Sequence, residues 1–174
     1  MSDSGDDQAT PTARTPVDVR VPAGAADPAE LWTLLSTPAL WPAWAPHIRR
    51  AERVPGRDDG PGGASVRTGD TVKIHGLGPM AVTALIALVD PPRRWDFVVA
   101  LPLSHQLVAT HELVDDPAGV RVRMALHGPL PSPLGRMLLR AYQPLATVAV
   151  RRLVALAADP DRRRPATTTE HTER

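Results

Sequence analysis

The chain has 174 residues, enough for one domain with tails and for a core that needs no disulfide or metal staple. Twenty Lys+Arg against nineteen Asp+Glu leave a net charge of +1, which argues against a nucleic-acid binder working by phosphate neutralisation. The lack of cysteine excludes disulfide frameworks, thiolate metal sites and cysteine nucleophiles.

The N-terminus, MSDSGDDQATPTARTP, is acidic and polar where a signal peptide needs basic residues and then an apolar run. No uncharged stretch reaches the roughly 20 apolar residues that span a bilayer, so a cytoplasmic protein without an integral membrane segment is expected. Residues 1–15 and 159–174 are too poor in large apolar side chains to offset their ordering entropy, and both read as disordered tails. The folded unit is then 16–158, with a polar flexible loop at 55–65.

Val17-Asp18-Val19-Arg20-Val21 alternates with period two, the pattern of a half-buried strand. Asp27-Pro28-Ala29-Glu30 supplies a helix start. Asp27 accepts from the backbone N–H at the third helical position, Pro28 fills the first, and Glu30 reaches back as the capping-box partner. Leu31, Leu34 and Leu35 line one side of this helix. Ser36-Thr37-Pro38 ends it and starts a second, capped by Thr37, which Pro42 limits to little more than a turn. Its Trp41 and Trp44 share a face and are expected to pack the short helices onto the sheet edge.

Six strands follow at 47–53, 67–75, 81–89, 94–101, 104–114 and 120–128. The links at Gly76–Pro79, Asp90–Arg93 and Asp115–Gly119 are rich in turn residues, and short links pair neighbouring strands antiparallel. Ser132-Pro133 opens the last helix, which runs to Ala158 with Leu134, Leu138, Ala141, Leu145, Val148 and Leu156 at helical spacing. At about 1.5 Å per residue it is near 39 Å long, and Pro144 is expected to kink or split it. The order predicts an α+β domain: a curved antiparallel sheet of about seven strands, two short helices after the first, and one long C-terminal helix covering the concave face. An apolar space lies between sheet and helix.

That order, with ADPAELWTLLSTPALWPAWAPHI at 26–48, resembles the START-like SRPBCC superfamily and its polyketide cyclase/dehydrase-like branch. The resemblance is carried by Trp32 in the capped first helix, the Trp41-Pro42-Ala43-Trp44 turn, and Gly69-Asp70. It continues through Pro91-Pro92-Arg93-Arg94-Trp95, Gly119-Val120-Arg121-Val122 and the closing Gly128-Pro129-Leu130. It implies a helix-grip fold with a deep apolar cavity that holds lipids, sterols, polyketides or other hydrophobic molecules. Thr37 departs from the Asp common in this branch, but both residues cap helices. No catalytic residue carries over, because the family shares no catalytic set.

The candidate cavity residues are Trp95, Phe97 and Val99 on one strand, Val122, Met124 and Leu126 on another, and Leu138, Tyr142 and Leu145 on the last helix. His105, Leu107 and His111 join them if their face of strand 104–114 points inward, which a one-residue slip in register would reverse. The two histidines lie about 20 Å apart at about 3.3 Å per residue and cannot share one metal. Ser104 beside His105 faces the opposite way, and no GxSxG elbow surrounds it. Asp96 and Glu112 alternate with the apolar set and are expected on the solvent face. No metal, cofactor or phosphate-binding loop is implied.

Three functions stay open. The chain binds a hydrophobic small molecule; or it is a polyketide cyclase/aromatase or dehydratase in which His105, His111 or Tyr142 moves protons; or it is a protein-interaction module with a filled interior.

Overall fold

The computed structural model describes residues 17–24, 26–54, 64–76, 81–100, 106–128 and 133–159, without the side chains of 133–136, 138 and 139. The expected N-terminal tail, the C-terminal tail beyond Asp159, most of the 55–65 loop, the 77–80 turn, Ser104, His105 and Ser132 lie outside the described residues. The strands are β1 (Val17–Pro22), β2 (Ile48–Val54), β3 (Thr71–Gly76), β4 (Ala81–Asp90), β5 (Arg94–Ala100), β6 (Gln106–Asp116) and β7 (Gly119–His127). Between β1 and β2 come α1 (Pro28–Ser36), a 3₁₀ turn (Pro38–Leu40) and α2 (Trp41–Trp44); α3 (Pro133–Ala158) closes the chain. The strands form one antiparallel sheet in the order β1-β7-β6-β5-β4-β3-β2, so β1 closes against the end of a meander.

Local chemistry explains most boundaries. Asp27 caps α1, but its carboxylate accepts from Ala29 N, the second helical position, at 3.0 Å. Asp27→Ala is expected to cost ~1 kcal/mol, a fall in Tm of about 2–4 °C in a thermal melt. Thr37 holds the cap position of the 3₁₀ turn without a side-chain hydrogen bond, contrary to expectation. β3 starts four residues later than the pattern suggested because 67–70 form a turn, in which the Asp70 carboxylate accepts from Arg67 N at 2.7 Å. The β6–β7 hairpin turns through Pro117-Ala118, and Gly119 at φ +123° supplies a backbone conformation that L side chains rarely adopt. Gly128 has a different reason: a Cβ there would lie 2.8 Å from the Gln106 carbonyl oxygen.

Pro144 neither splits nor ends α3, which runs uninterrupted through it. The helix also turns a different face to the sheet than its leucine spacing suggested. Ala146, Ala149, Val150, Leu153 and Ala157 are buried, whereas Ala141 is exposed and Val148 is 47% exposed. The cause is size. Alanines let the helix axis approach β1 more closely than a leucine stripe permits, and α3 packs chiefly across that strand.

Alternation fixes both sheet faces. The concave side carries two rows of directly opposed residues: Val19–Met124–His111–Trp95–Val89 and Val17–Leu126–Ala109–Phe97–Ile86. Asp96 and Glu112 are on the convex side as expected, but they are not freely solvated. Arg94 bonds Asp96 at 2.7 Å and Glu112 at 3.3 Å, Arg123 joins Glu112 at 2.8 Å to Asp18 at 3.2 Å, and Arg20 closes on Asp18 at 2.9 Å. This chain of charges crosses β5, β6, β7 and β1 and leaves Asp96 only 7% exposed.

Candidate functional site

The concave face is floored by an aromatic stack. Trp95 on β5 and His111 on β6 are directly opposed, so their rings meet at 4.2 Å with 4° between planes. Trp41 of α2 stacks on the indole of Trp95 at 5.2 Å, Phe97 lies beside both β-strand rings, and Trp44 meets the His111 edge at 6.5 Å. The short helices lie against the edge strand β2, as expected, while their two tryptophan rings reach inward to β5 and β6. Their indole N–H groups donate to Leu35 O at 2.9 Å and Leu34 O at 3.1 Å, satisfying carbonyls at the end of α1.

Opposite this floor stands a polar pair. His47, in the turn that leads into β2, is hydrogen-bonded through Nε2 to the Tyr142 hydroxyl of α3 at 2.9 Å. Burial pushes the Tyr142 phenol up to about 12 and the His47 imidazole below its ordinary range. Burial also drives His111 down to about 3, against a smaller opposing pull from the Asp96 charge. Both imidazoles are thus neutral at pH 7.

Between floor and pair lies a pocket lined by Trp95, Phe97, His111, Met124, His47 and Tyr142, closed at its sides by Trp41, Trp44, Ala45, Ile48 and Ile74. Its volume is about 40 Å³. That admits about three or four waters, since one needs about 10–15 Å³, and falls far short of the roughly 300–1,000 Å³ typical of sites for drug-sized ligands. The deep cavity that the resemblance implied is a small one here, because the aromatic stack fills the space and the alanine face brings α3 close. The buried parts of the lining (Trp41, Trp44, Ala45, Trp95, His111 and Met124) are its firm part. His47, Ile48, Ile74, Phe97 and Tyr142 are half-buried and form a rim that can give.

Of the expected cavity residues, Trp95, Phe97, His111, Met124 and Tyr142 line this pocket. Val99, Val122 and Leu126 are buried on the concave face and Leu107 is half-buried, outside the lining. Leu145 is half-buried on α3, also outside the lining. His105 and the Leu138 side chain fall outside the described residues. His47, Ile48 and Ile74 were not anticipated. Nothing in the local pattern of Pro46-His47 marks a pocket residue; its partner is 95 positions away. Among the described residues no group of three or more His, Asp or Glu side chains gathers to hold a metal ion, and no helix is long and apolar enough to cross a membrane.

An antiparallel seven-stranded sheet wrapped on a long C-terminal helix is the helix-grip fold, here with a narrow aromatic pocket under the grip. The chain belongs to the family described as polyketide cyclase / dehydrase and lipid transport, which matches residues 16–158. Membership supports a role in handling a hydrophobic or polyketide-like ligand. No curated protein matches the chain in sequence.

Solved structures share the fold at low identity. A protein of Mesorhizobium loti is 18% identical with a TM-score of 0.63, covering 86% of this chain and 98% of its own. Ara h 8.0201 is 15% identical with a TM-score of 0.57, over 80% of this chain and 95% of its own. DynU16, a protein from the dynemicin biosynthetic locus, is 16% identical with a TM-score of 0.61, over 83% of this chain and 47% of its own.

Proposed function

We propose that the protein binds a hydrophobic small molecule between the concave sheet face and α3, in a cytoplasmic domain spanning residues 16–158. The observation that carries this reading is the aromatic pocket itself, apolar on its floor with one hydrogen-bonded His–Tyr pair at its rim. A ligand enters by displacing rim side chains, since those are the half-buried ones, while the stacked floor stays in place. Native mass spectrometry of the purified protein and titration with the uncharged dye N-phenyl-1-naphthylamine test this. An apolar adduct, or saturable dye fluorescence, is the expected result. A bare mass in every preparation together with no dye uptake would overturn it.

The second reading is a cyclase or dehydratase. It is favoured by the 2.9 Å bond between His47 and Tyr142, a ready path for a proton at the pocket wall. His111, expected among the proton carriers, suits that role poorly, because a base held near 3 is far from matched to neutral pH. Tyr142→Phe separates the readings. For a binder, dye affinity stays within about threefold, one weak hydrogen bond's worth. For an enzyme, turnover of a linear poly-β-keto substrate is lost while binding is kept.

A further inference from the structure

Three buried nitrogens on residues of this pocket have no hydrogen-bond partner among the described residues: Trp95 Nε1, His111 Nδ1 and His47 Nδ1. Trp95 is 1% and His111 4% exposed, so neither nitrogen finds bulk water. Buried polar atoms in native proteins are nearly always satisfied; other exceptions, such as Ser36 Oγ, lie elsewhere in the fold, but these three gather on residues of one lining. The indole of Trp95 can only donate. Tyr142 is held as a phenol; in the tautomer where its O–H donates to His47 Nε2, the imidazole proton lies on Nδ1 and that atom is a second donor. Trp95 Nε1–H, and His47 Nδ1–H in that tautomer, thus belong to lining residues and have no acceptor among the described residues. The pocket's charge state sets the kind of acceptor. Both imidazoles are neutral, and the described lining contains no Arg or Lys. A carboxylate or phosphate taken in here would lose its hydration with no cation to replace it, whereas a carbonyl or ether oxygen loses little and gains the waiting donors.

We propose that the pocket selects uncharged ligands that carry a hydrogen-bond-accepting oxygen, with Trp95 Nε1–H as the specificity-determining donor, and rejects the anionic head groups of free fatty acids and phospholipids. The flat Trp95–His111 floor adds a preference for a planar group beside that oxygen, since rings stack on rings. This inference rests on the binding reading above and sharpens it.

Three single-ring probes of similar size separate the possibilities: acetophenone, ethylbenzene and benzoate, titrated at pH 7.5 into the full chain. The protein has four tryptophans, so a ¹H–¹⁵N spectrum shows four indole N–H signals, and the one lost in Trp95→Phe is that of Trp95. Acetophenone is expected to bind about tenfold more tightly than ethylbenzene, the worth of one hydrogen bond. It should also move the Trp95 indole proton downfield, while ethylbenzene leaves that proton near its free position. Benzoate is expected to bind at least tenfold more weakly than acetophenone. In Trp95→Phe the preference for acetophenone over ethylbenzene disappears; the wild-type titration alone decides the matter if that variant does not fold. Equal binding of acetophenone and ethylbenzene, with no selective shift of the Trp95 proton, overturns the proposal and leaves the binding reading standing. Benzoate binding as tightly as acetophenone also overturns it. No binding by any probe, together with no dye uptake, removes both.

Discussion

Trp95→Ala is expected to destabilise the protein by ~3–5 kcal/mol, the range for removing a large buried aromatic side chain. Trp95 is the shared member of the stack, in ring contact with Trp41, His111 and Phe97, so alanine removes one neighbour from each of the three and leaves Trp41 without a stacking partner among the described residues. Neither Trp41 nor His111 can collapse into the gap easily, since each is held by its own strand or helix and is almost fully buried. In a domain of this size about 2–4 °C accompanies each kcal/mol, so Tm should fall by roughly 10 °C or more. Trp32→Ala, at a half-buried position on α1, is the control and should cost markedly less. A loss under about 1 kcal/mol for Trp95→Ala, by denaturant titration, would mean that the stack does not hold the core together.

The second large effect is with pH. His111 is near 3 in the folded protein and near 6.5 when unfolded, so between those values the unfolded chain binds the extra proton. Its contribution is therefore complete above pH 6.5 and is lost as pH falls toward 3, with a slope approaching about 1.4 kcal/mol per pH unit. His47, also lowered by burial, acts in the same direction. Tyr142 has the opposite sense: raised to about 12, it keeps its contribution below pH 10 and loses it between 10 and 12. Urea unfolding at pH 7.5 and pH 4.5 should show a stability loss on the order of 2–3 kcal/mol attributable to His111. His111→Phe should flatten that dependence. It should also leave stability at pH 7.5 unchanged or slightly higher, because a phenyl ring keeps the stack and removes an unpartnered buried nitrogen. Identical pH profiles for the two proteins would show that His111 titrates normally.

Much of the fold was legible because short-range signals sufficed. Period-two alternation marked every strand, the Asp27-Pro28 pair marked α1, and Trp95, Phe97 and Val99 face inward as their alternation requires. The inward face of β6 needed the His111–Met124 register, which depends on where the hairpin turns and not on the strand's own pattern. The leucine spacing points to a different face of α3 from the buried one, because apolar residues occur nearly all round that helix and the alanines decide contact. His47 was invisible for a third reason. Its role is created by a partner on α3, and only chain topology brings the two together.

The alanine face of α3 also sets the headroom above the aromatic floor. Because Ala146 and Ala149 fix how low the helix rests, a single added methylene there props it up like a shim under a beam and enlarges the chamber, though neither residue is among those that line it. Guest size in this scaffold is thus adjustable from a position remote from the guest, separating the evolution of capacity from that of chemical preference.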